Sequence, residues 1–549
     1  MINPRESGHS RTILPSPVTS SALEDLGPDL AIMARTVQSQ LTAAMTAFFQ
    51  SDRGLAQQVV SKDDQVDNLL NLIEDKCFAR IAGEDPESLR SRRLRGVFRV
   101  ALNLEKLGDY AVNIAEQAIH VATFERHPRP FDLAGPSRTA LAALDEVITS
   151  FTDSSAEKAK HACRCEAELD RQYREALAET FRRFVRPGQD PGFVITHLFV
   201  AKFLERIGDS ILNIGETTLF ILTGERLKLH QYLHLEELIG DGASTAGDDV
   251  QIEQLWGGIS GALVSRVSVG HDEPLIWKEG AEVKIEEEVQ AMDEWNRLVP
   301  GLVPDVKARL HRDGRQSFLG RYVEGTLLRD IYLGSPWEHK INVTRRLLET
   351  VRDVWTASTT REQPTIDYIG QIRKRLPDLY AIHPTLETLR EEAASIFGID
   401  HPSLSELLDR AEELQEGLAP PISVRIHGDF NTNNIFYDEK TDRIHLIDVH
   451  RSGPGDYLQD IGVLLVSNVR NPLTEDRLYD EMRRLNQVIA DFAAEFARMV
   501  GDEHFERRLV LSRARSLITS GRLVADSAFA RSIFLQGVHW LERVTGAAA

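Results

Sequence analysis

The feature that most constrains this chain is a short helical pattern that returns after 100 residues. Asn103-Leu104-Glu105-Lys106-Leu107-Gly108-Asp109, followed by Asn113-Ile114, recurs as Phe203-Leu204-Glu205-Arg206-Ile207-Gly208-Asp209, followed by Asn213-Ile214. Self-similarity at a fixed offset marks a duplicated structural unit. A fainter echo pairs Asp63 and Asp67 with Glu166 and Asp170, at an offset of 103 residues. From about Ala22 to Glu237 apolar residues recur at three and four spacing with almost no strand signal, so the duplicated unit is helical. Helix-stopping runs at Gly83–Pro86, Arg126–Pro130 and Arg186–Pro191 leave room for about six helices, read as two three-helix units over about 22–125 and 136–236.

Each echo carries two acidic groups at i and i+4, on one helix face, and Asn113 and Asn213 extend the stripe. Like charges at this spacing repel by a few tenths of a kcal/mol per pair, so repeating the arrangement invites a cation. Oxygen-only donors suit iron, manganese or magnesium. Spacing alone leaves a second reading open, solvated faces neutralised by Lys106, Arg206 and their neighbours. Gly108 and Gly208, in mid-helix where glycine costs roughly 1 kcal/mol relative to alanine, predict close helix approach. Cys163 and Cys165, two apart on a helix and without a second cysteine pair, read as buried thiols rather than a zinc site.

Leu-Glu-Arg-Ile-Gly-Asp with a following Asn-Ile, in a duplicated three-helix array, resembles the PhoU family of phosphate-uptake regulators, over about Ala22 to Glu236. The resemblance implies a pair of three-helix bundles and acidic clusters able to hold iron, manganese or zinc. It also implies a role in repressing phosphate-starvation signalling, with components of a phosphate transporter and a sensor kinase as partners. The positions matching the family's acidic pattern are Asp63, Asp67, Glu105, Asp109, Glu166, Asp170, Glu205 and Asp209.

Composition narrows the rest. Lys and Arg number 64 against 84 Asp and Glu, a net charge of −20, which argues against nucleic acid as a generic partner and leaves room only for a local basic patch. The three cysteines are too few for a disulfide framework, the first 21 residues read as a disordered head without an apolar signal, and no run of about 18 apolar residues occurs. The expectation is a cytoplasmic protein, not integral to a membrane, with a homodimer as one arrangement it could take. A Gly- and Asp-rich run at Gly240–Asp249 reads as a linker over 240–250 between a helical domain at 22–239 and a second domain at 251–549. Beyond it, β-like runs at Ala262–Val269, Pro274–Lys278 and Ser317–Val323 are followed by long helical patterns with one further strand pair at Val424–Ile426 and Ile435–Asp448, and strands first with helices later is an α+β texture.

The sharpest motif is Ile426-His427-Gly428-Asp429-Phe430-Asn431-Thr432-Asn433-Asn434-Ile435, with Ile447-Asp448 after a hairpin. Phosphoryl transfer needs an aligned acceptor hydroxyl and neutralised phosphate charge. Asp429 is placed for the first task, while Asn434 and Asp448 offer oxygen ligands for Mg²⁺. The motif resembles the catalytic loop and following metal-binding Asp of the aminoglycoside phosphotransferase and choline kinase families, over about Gln251 to the end. The resemblance implies a bilobal, protein-kinase-like fold with an N-lobe at about 251–326 and a C-lobe at 327–549. It makes Asp429 the catalytic base, His427 the buttress of the loop, and Gly455-Asp456 with Asp460 a structural segment. ATP would then meet Gly258, Ser260 and Gly261 in a Gly-rich turn, Lys278 on a strand, Glu288 (with Glu287 as a rival) at a helix start, and the hinge backbone at Tyr322 and Val323.

The expected function is thus an ATP-dependent phosphotransferase acting on a hydroxyl or amine of a small molecule, coupled to a phosphate- or metal-responsive module. The competing reading is a regulator of phosphate uptake that binds nucleotide without turnover. Acceptor choice falls to Trp337–Ala419 and Pro472–Val544, where no residue type dictates a ligand class.

Overall fold

The computed structural model describes residues 26–85, 88–124, 128–184, 190–242, 250–257, 262–269, 272–312, 314–396, 399–470 and 476–546. The head at 1–21 and the turn residues Gly258, Ser260 and Gly261 lie outside them. The chain divides into two compact units, residues 1–279 and 280–549.

The first unit opens with α1 (Gly27–Gln50), α2 (Arg53–Val60), α3 (Asp64–Ile81) and α4 (Leu89–Val121), then repeats the set as α5 (Ala134–Thr152), α6 (Ala156–Cys163), α7 (Cys165–Phe184) and α8 (Pro191–Thr223). The middle helix of each expected triplet is therefore broken, into α2 and α3 and into α6 and α7. At the first break the buried Gln40 side chain donates to the Lys62 carbonyl at 3.0 Å, beside the Gln65 N–H that donates to the same oxygen at 3.2 Å. Starts are capped by side chains, Ser88 accepting from Ser91 N–H and Asp190 from Gly192 N–H, with Pro191 at the first helical position. The motif helices α4 and α8 pack on each other, α1 on α4 and α7 on α8. Their shared core holds Leu104, Leu107, Ala111 and Ile114 with Leu204, Ile207, Ile211 and Ile214, all at most 1% exposed. Each aliphatic side chain larger than alanine contributes roughly 1.5–3 kcal/mol there.

The duplicated glycines are close-approach points. A β-carbon on Gly208 would meet Leu169 Cδ1 at 3.0 Å and the Glu166 Cα at 3.4 Å, so α7 lies on the backbone of α8. Cys163 and Cys165 straddle the α6–α7 break, Cys77 lies in α3, and all three are buried without disulfides. Cys163 Sγ fills the space a β-carbon on Gly215 would take.

α9 (Leu229–Gly242) carries the helix through the first three residues of the expected linker. An antiparallel meander follows, β1 (Val250–Gly257), β2 (Leu263–Val269) and β3 (Leu275–Ala281), with Lys278 opposite Val264. Along β3 the buried Trp277 and Glu279 alternate with the half-buried Lys278. Glu279, fully buried, meets α9: His234 Nδ1 lies 3.2 Å from one carboxylate oxygen and His230 Nε2 lies 3.4 Å from the other. A strand that carries an expected nucleotide residue is thus seated on the last helix of the helical array, within one compact unit.

The second unit begins with α10 (Glu282–Leu298), followed by the hairpin β4 (Val306–Arg312) and β5 (Arg315–Arg321), β6 (Thr326–Leu327), α11 (Leu328–Gly334), α12 (Trp337–Ser358) and α13 (Tyr368–Ile382). Next come the hairpin β7 (Ala394–Ile396) and β8 (Ile399–His401), α14 (Leu404–Glu416), β9 (Val424–Ile426), β10 (Ile435–Asp438), β11 (Arg443–Leu446) and β12 (Gly453–Gly455). The chain ends in α15 (Tyr457–Val469), α16 (Asp476–Val500), α17 (Phe505–Ser520) and α18 (Ser527–Thr545). β10 pairs with both β6 and β11, and β12 with β9. α13, α14, α17 and α18 enclose a core around Ile369, Leu407, Leu511 and Phe534. Strands β1 and β4 were not expected from the sequence, and α10 starts at Glu282, so Glu288 lies in its second turn rather than at its start.

Candidate active site

The loop from β9 to β10 is built around His427, which is fully buried. Its Nε2 lies 2.9 Å from the Ile447 carbonyl and its Nδ1 lies 3.2 Å from the Asp429 N–H. An N–H can donate to Nδ1 only if that nitrogen is bare, so the proton sits on Nε2 and donates to Ile447. Burial holds the imidazole below its ordinary pKa and keeps this tautomer neutral. Asp460, at the start of α15, accepts from the His427 and Gly428 N–H groups at 2.6 and 2.9 Å. Its own burial pushes its carboxyl up to about 7, against the pull of those two donors. Gly428 is required: it has φ +82°, and a β-carbon there would fall 2.2 Å from the Arg451 carbonyl oxygen.

Asp429 emerges from this frame only partly covered, with Oδ1 accepting from Asn431 Nδ2 at 3.0 Å and Oδ2 paired with Arg451 Nη1 at 2.8 Å. Asn434 donates Nδ2 to the Asp429 carbonyl at 3.0 Å, which orients its amide. Ile435 pairs with Leu446, and the Ile447 N–H donates to the Asn434 carbonyl at 3.0 Å. The hairpin register therefore carries Asp448 to the same end of the sheet as Asn434, across thirteen intervening residues. Asp448 itself is left-handed, φ 61° and ψ 43°, a strained conformation for a residue with a side chain.

α10 is tied to this loop through Trp295 Nε1, which donates to Ser452 Oγ at 2.7 Å, and through the Arg425–Glu294 ion pair. Among the described residues one group brings three ligand atoms within 4.8 Å of one another: Glu288, Asp448 and His450. Glu288 is buried and Glu287 exposed. His450 was not singled out from the sequence, because nothing in its spacing shows that the turn after Asp448 faces α10. Tyr322 and Val323 follow β5, half-buried, and Lys278 lies on β3 of the first unit.

The segment behind the loop is locked by charge. Asp456, 4% exposed, accepts from Tyr368 Oη at 2.8 Å and is ion-paired to Arg508 Nη1 at 2.7 Å. Arg508 also pairs with Asp502, and Tyr457 Oη donates to Asp502.

In the helical array the eight expected acids form two groups. In the first, burial raises the carboxyls of Asp63, Glu105 and Asp109, helped by repulsion among these three and Asp67. In the second, burial raises Glu166 and Asp209, with repulsion from Asp170 and Glu205. The second group is also threaded with cations: Lys202 lies 2.7 Å from Glu205, Arg206 3.3 Å from Asp209 and Arg174 3.1 Å from Asp170. Among the described residues neither group gathers three ligand atoms as closely as Glu288, Asp448 and His450 do.

This geometry defines a phosphotransferase-type α+β domain joined to a duplicated helical array. The PhoU domain family matches residues 30–118 and 137–218, and the phosphotransferase enzyme family matches residues 276–499. A phosphate-specific transport system accessory protein PhoU homolog of Caulobacter vibrioides is 32% identical over 213 residues, 37% of this chain and 90% of that protein. Its counterpart in Clostridium acetobutylicum is 26% identical over 216 residues, 39% of this chain and 98% of that protein. A solved structure of a thermostable mutant of an aminoglycoside phosphotransferase aligns over 55% of this chain and 95% of its own, at 15% identity and a TM-score of 0.36. Through its helical half the chain belongs to the PhoU family, and its C-terminal half is a phosphotransferase domain. No helix among the described residues is long and apolar enough to cross a membrane.

Proposed function

We propose that the chain transfers the γ-phosphoryl group of ATP to a hydroxyl or amine of a small molecule, under the influence of its PhoU half. The observation that carries this reading is the convergence of Asp429, Asn434 and Asp448 through the His427–Ile447 and Ile447–Asn434 hydrogen bonds. For a hydroxyl acceptor, Asp429 takes the proton as the oxygen attacks the γ-phosphorus, the bond from that phosphorus to the β–γ bridging oxygen breaks, and ADP leaves. Asn434 and Asp448 offer an amide oxygen and a carboxylate, hard donors that fit Mg²⁺. When bound, Mg²⁺ neutralises phosphate charge. Lys278 and Glu288, with Gly258, Ser260, Gly261 and the backbone at Tyr322 and Val323, are the proposed nucleotide contacts. Domain limits of 22–239 and 251–549, a cytoplasmic location, and transporter or sensor-kinase partners belong to the same proposal.

Incubation of the purified chain with γ-labelled ATP, Mg²⁺ and a metabolite extract tests it. A labelled small molecule that requires Mg²⁺ and vanishes with Asp429→Asn is the expected result. Absence of both labelled product and Mg²⁺-dependent nucleotide binding overturns the reading.

A further inference from the structure

Four guanidinium groups, those of Arg375, Arg451, Arg515 and Arg522, gather near Asp429, and among the described residues Arg451 alone of the four has a carboxylate partner, Asp429 itself. Arg375 lies on α13 between Gln371 and Leu379, one turn away on either side. Gln371 Oε1 accepts from Arg515 Nη1 of α17 at 3.4 Å. Leu379 Cδ1 lies 2.8 Å from where a β-carbon on Gly521 would sit. Arg375 is therefore held between Arg515 and Arg522, the latter in the 3₁₀ turn just after α17. Arg515 donates Nη2 to the carbonyl of Gln459, the neighbour of Asp460, which places it directly behind the catalytic loop. Arg451 completes the ring through its 2.8 Å pair with Asp429.

Buried arginine is expensive to keep unless a charge answers it. Arg515 is 4% exposed, its Nε has no partner among the described residues, and its two hydrogen bonds are long contacts to neutral oxygens. Arg375 forms no ion pair among the described residues, and Arg522 donates only to the Thr519 carbonyl. The consequence is mutual repulsion. Burial first, then Arg522, Arg515 and Arg451, pull the Arg375 guanidinium down to about 10. Among the described residues the carboxylates that act on Arg375 and Arg515 are Asp429, already paired with Arg451, and Asp460, whose burial favours its neutral form.

We infer that the acceptor of this phosphotransferase is an anion, a hydroxyl compound bearing a phosphate or carboxylate group that Arg375 and Arg522, backed by Arg515, hold beside Asp429. The inference rests on the phosphotransferase reading above and names its substrate class. Planar guanidinium forks match phosphate and carboxylate oxygens in paired hydrogen bonds, whereas a cationic acceptor would be repelled from the same site.

Calorimetry on the full chain with Mg²⁺ and the non-hydrolysable nucleotide AMP-PNP tests it, using glucose, glucosamine, gluconate, glucose 6-phosphate and inorganic phosphate as probes. The anionic probes should bind at least roughly tenfold tighter than glucose and glucosamine, the span of a charge-assisted hydrogen bond. The tighter of gluconate and glucose 6-phosphate separates the carboxylate from the phosphate source. Arg375→Gln and Arg522→Gln should each abolish the preference, and Arg375→Lys should retain part of it, which a merely structural role would not do. AMP-PNP binding reports that each variant is folded. Equal binding of neutral or cationic probes overturns the inference, as does competition between the anion and AMP-PNP. Anion preference without Mg²⁺-dependent nucleotide binding overturns the phosphotransferase reading instead, and nucleotide binding without anion preference overturns this one alone.

Discussion

Carboxylates are used in two opposite ways in the two halves of this chain. Behind the catalytic loop each one is locked: Asp460 by two backbone N–H groups, Asp456 by Tyr368 and Arg508. In the helical array Asp63, Glu105 and Asp109 face one another across α3 and α4, and what they share is repulsion. A locked carboxylate fixes geometry and tolerates no change. A repelling cluster stores sensitivity to whatever neutralises it, proton or metal, and this is the chemistry expected of a regulator rather than of a reaction centre.

The difference breaks most visibly at turnover. Asp429→Asn should lower the rate by roughly 10²- to 10⁴-fold, the range for loss of a positioned base, with nucleotide affinity nearly intact. Asp109→Asn, in the repelling cluster, should leave the basal rate within about twofold, since it holds no reacting group. Steady-state kinetics on both variants reads the contrast, and a slow Asp109 variant would mean that the cluster acts directly on catalysis.

The next effect is on stability. Arg508 is fully buried among Asp456, Asp502 and the Tyr457 ring, so Arg508→Met strands two carboxylates and should cost about 3–5 kcal/mol in urea unfolding of the second unit. A loss below about 1 kcal/mol would show that water reaches the site and that the lock is weaker than its burial implies. Glu279→Ala should cost less, about 1–3 kcal/mol, by leaving buried His234 with neither ring nitrogen partnered. Its signature is faster amide exchange in α9 and β3 together. Exchange confined to β3 would show that α9 is not seated through this contact.

How much of this was legible without the structure follows from the same contrast. The grouping of Asp429, Asn434 and Asp448 could be read because they are close in sequence, and one hairpin register, Ile435 opposite Leu446, joins them. The duplicated helices were legible because periodicity and repetition are local signals. The break at Ser61–Asp63 was not, since the contact made there, Gln40 to the Lys62 carbonyl, comes from another helix. Nor was the arginine ring: Arg375, Arg451, Arg515 and Arg522 are spread over three elements and a turn, and only the packing of α13 on α17 and its following turn brings them to Asp429. Acceptor charge was therefore hidden in a region where each residue alone dictates nothing.

The smallest effect distinguishes the two acidic groups from each other. Asp63, Glu105 and Asp109 in the first group and Glu166 and Asp209 in the second titrate above their ordinary values of 3.8 and 4.5. A raised folded pKa means the folded state binds its proton more tightly than the unfolded chain. The stabilisation is complete at low pH and is lost as pH rises through the folded value. In the second group Lys202, Arg206 and Arg174 already soften the repulsion, so deprotonation there costs less. Without metal, α3 and α4 should therefore loosen more than α7 and α8 as pH rises above the ordinary carboxylate values and through the raised folded ones, by a few tenths of a kcal/mol for each like-charge pair. Manganese or iron added at pH 7 should reverse the loosening in α3 and α4 first, because binding to the folded form alone adds to its stability. Hydrogen exchange of the four helices in the full chain, with and without metal, reads both trends. Equal responses in the two groups would mean that their cations are solvent-screened, and no response in either would return both faces to the role of solvated surface.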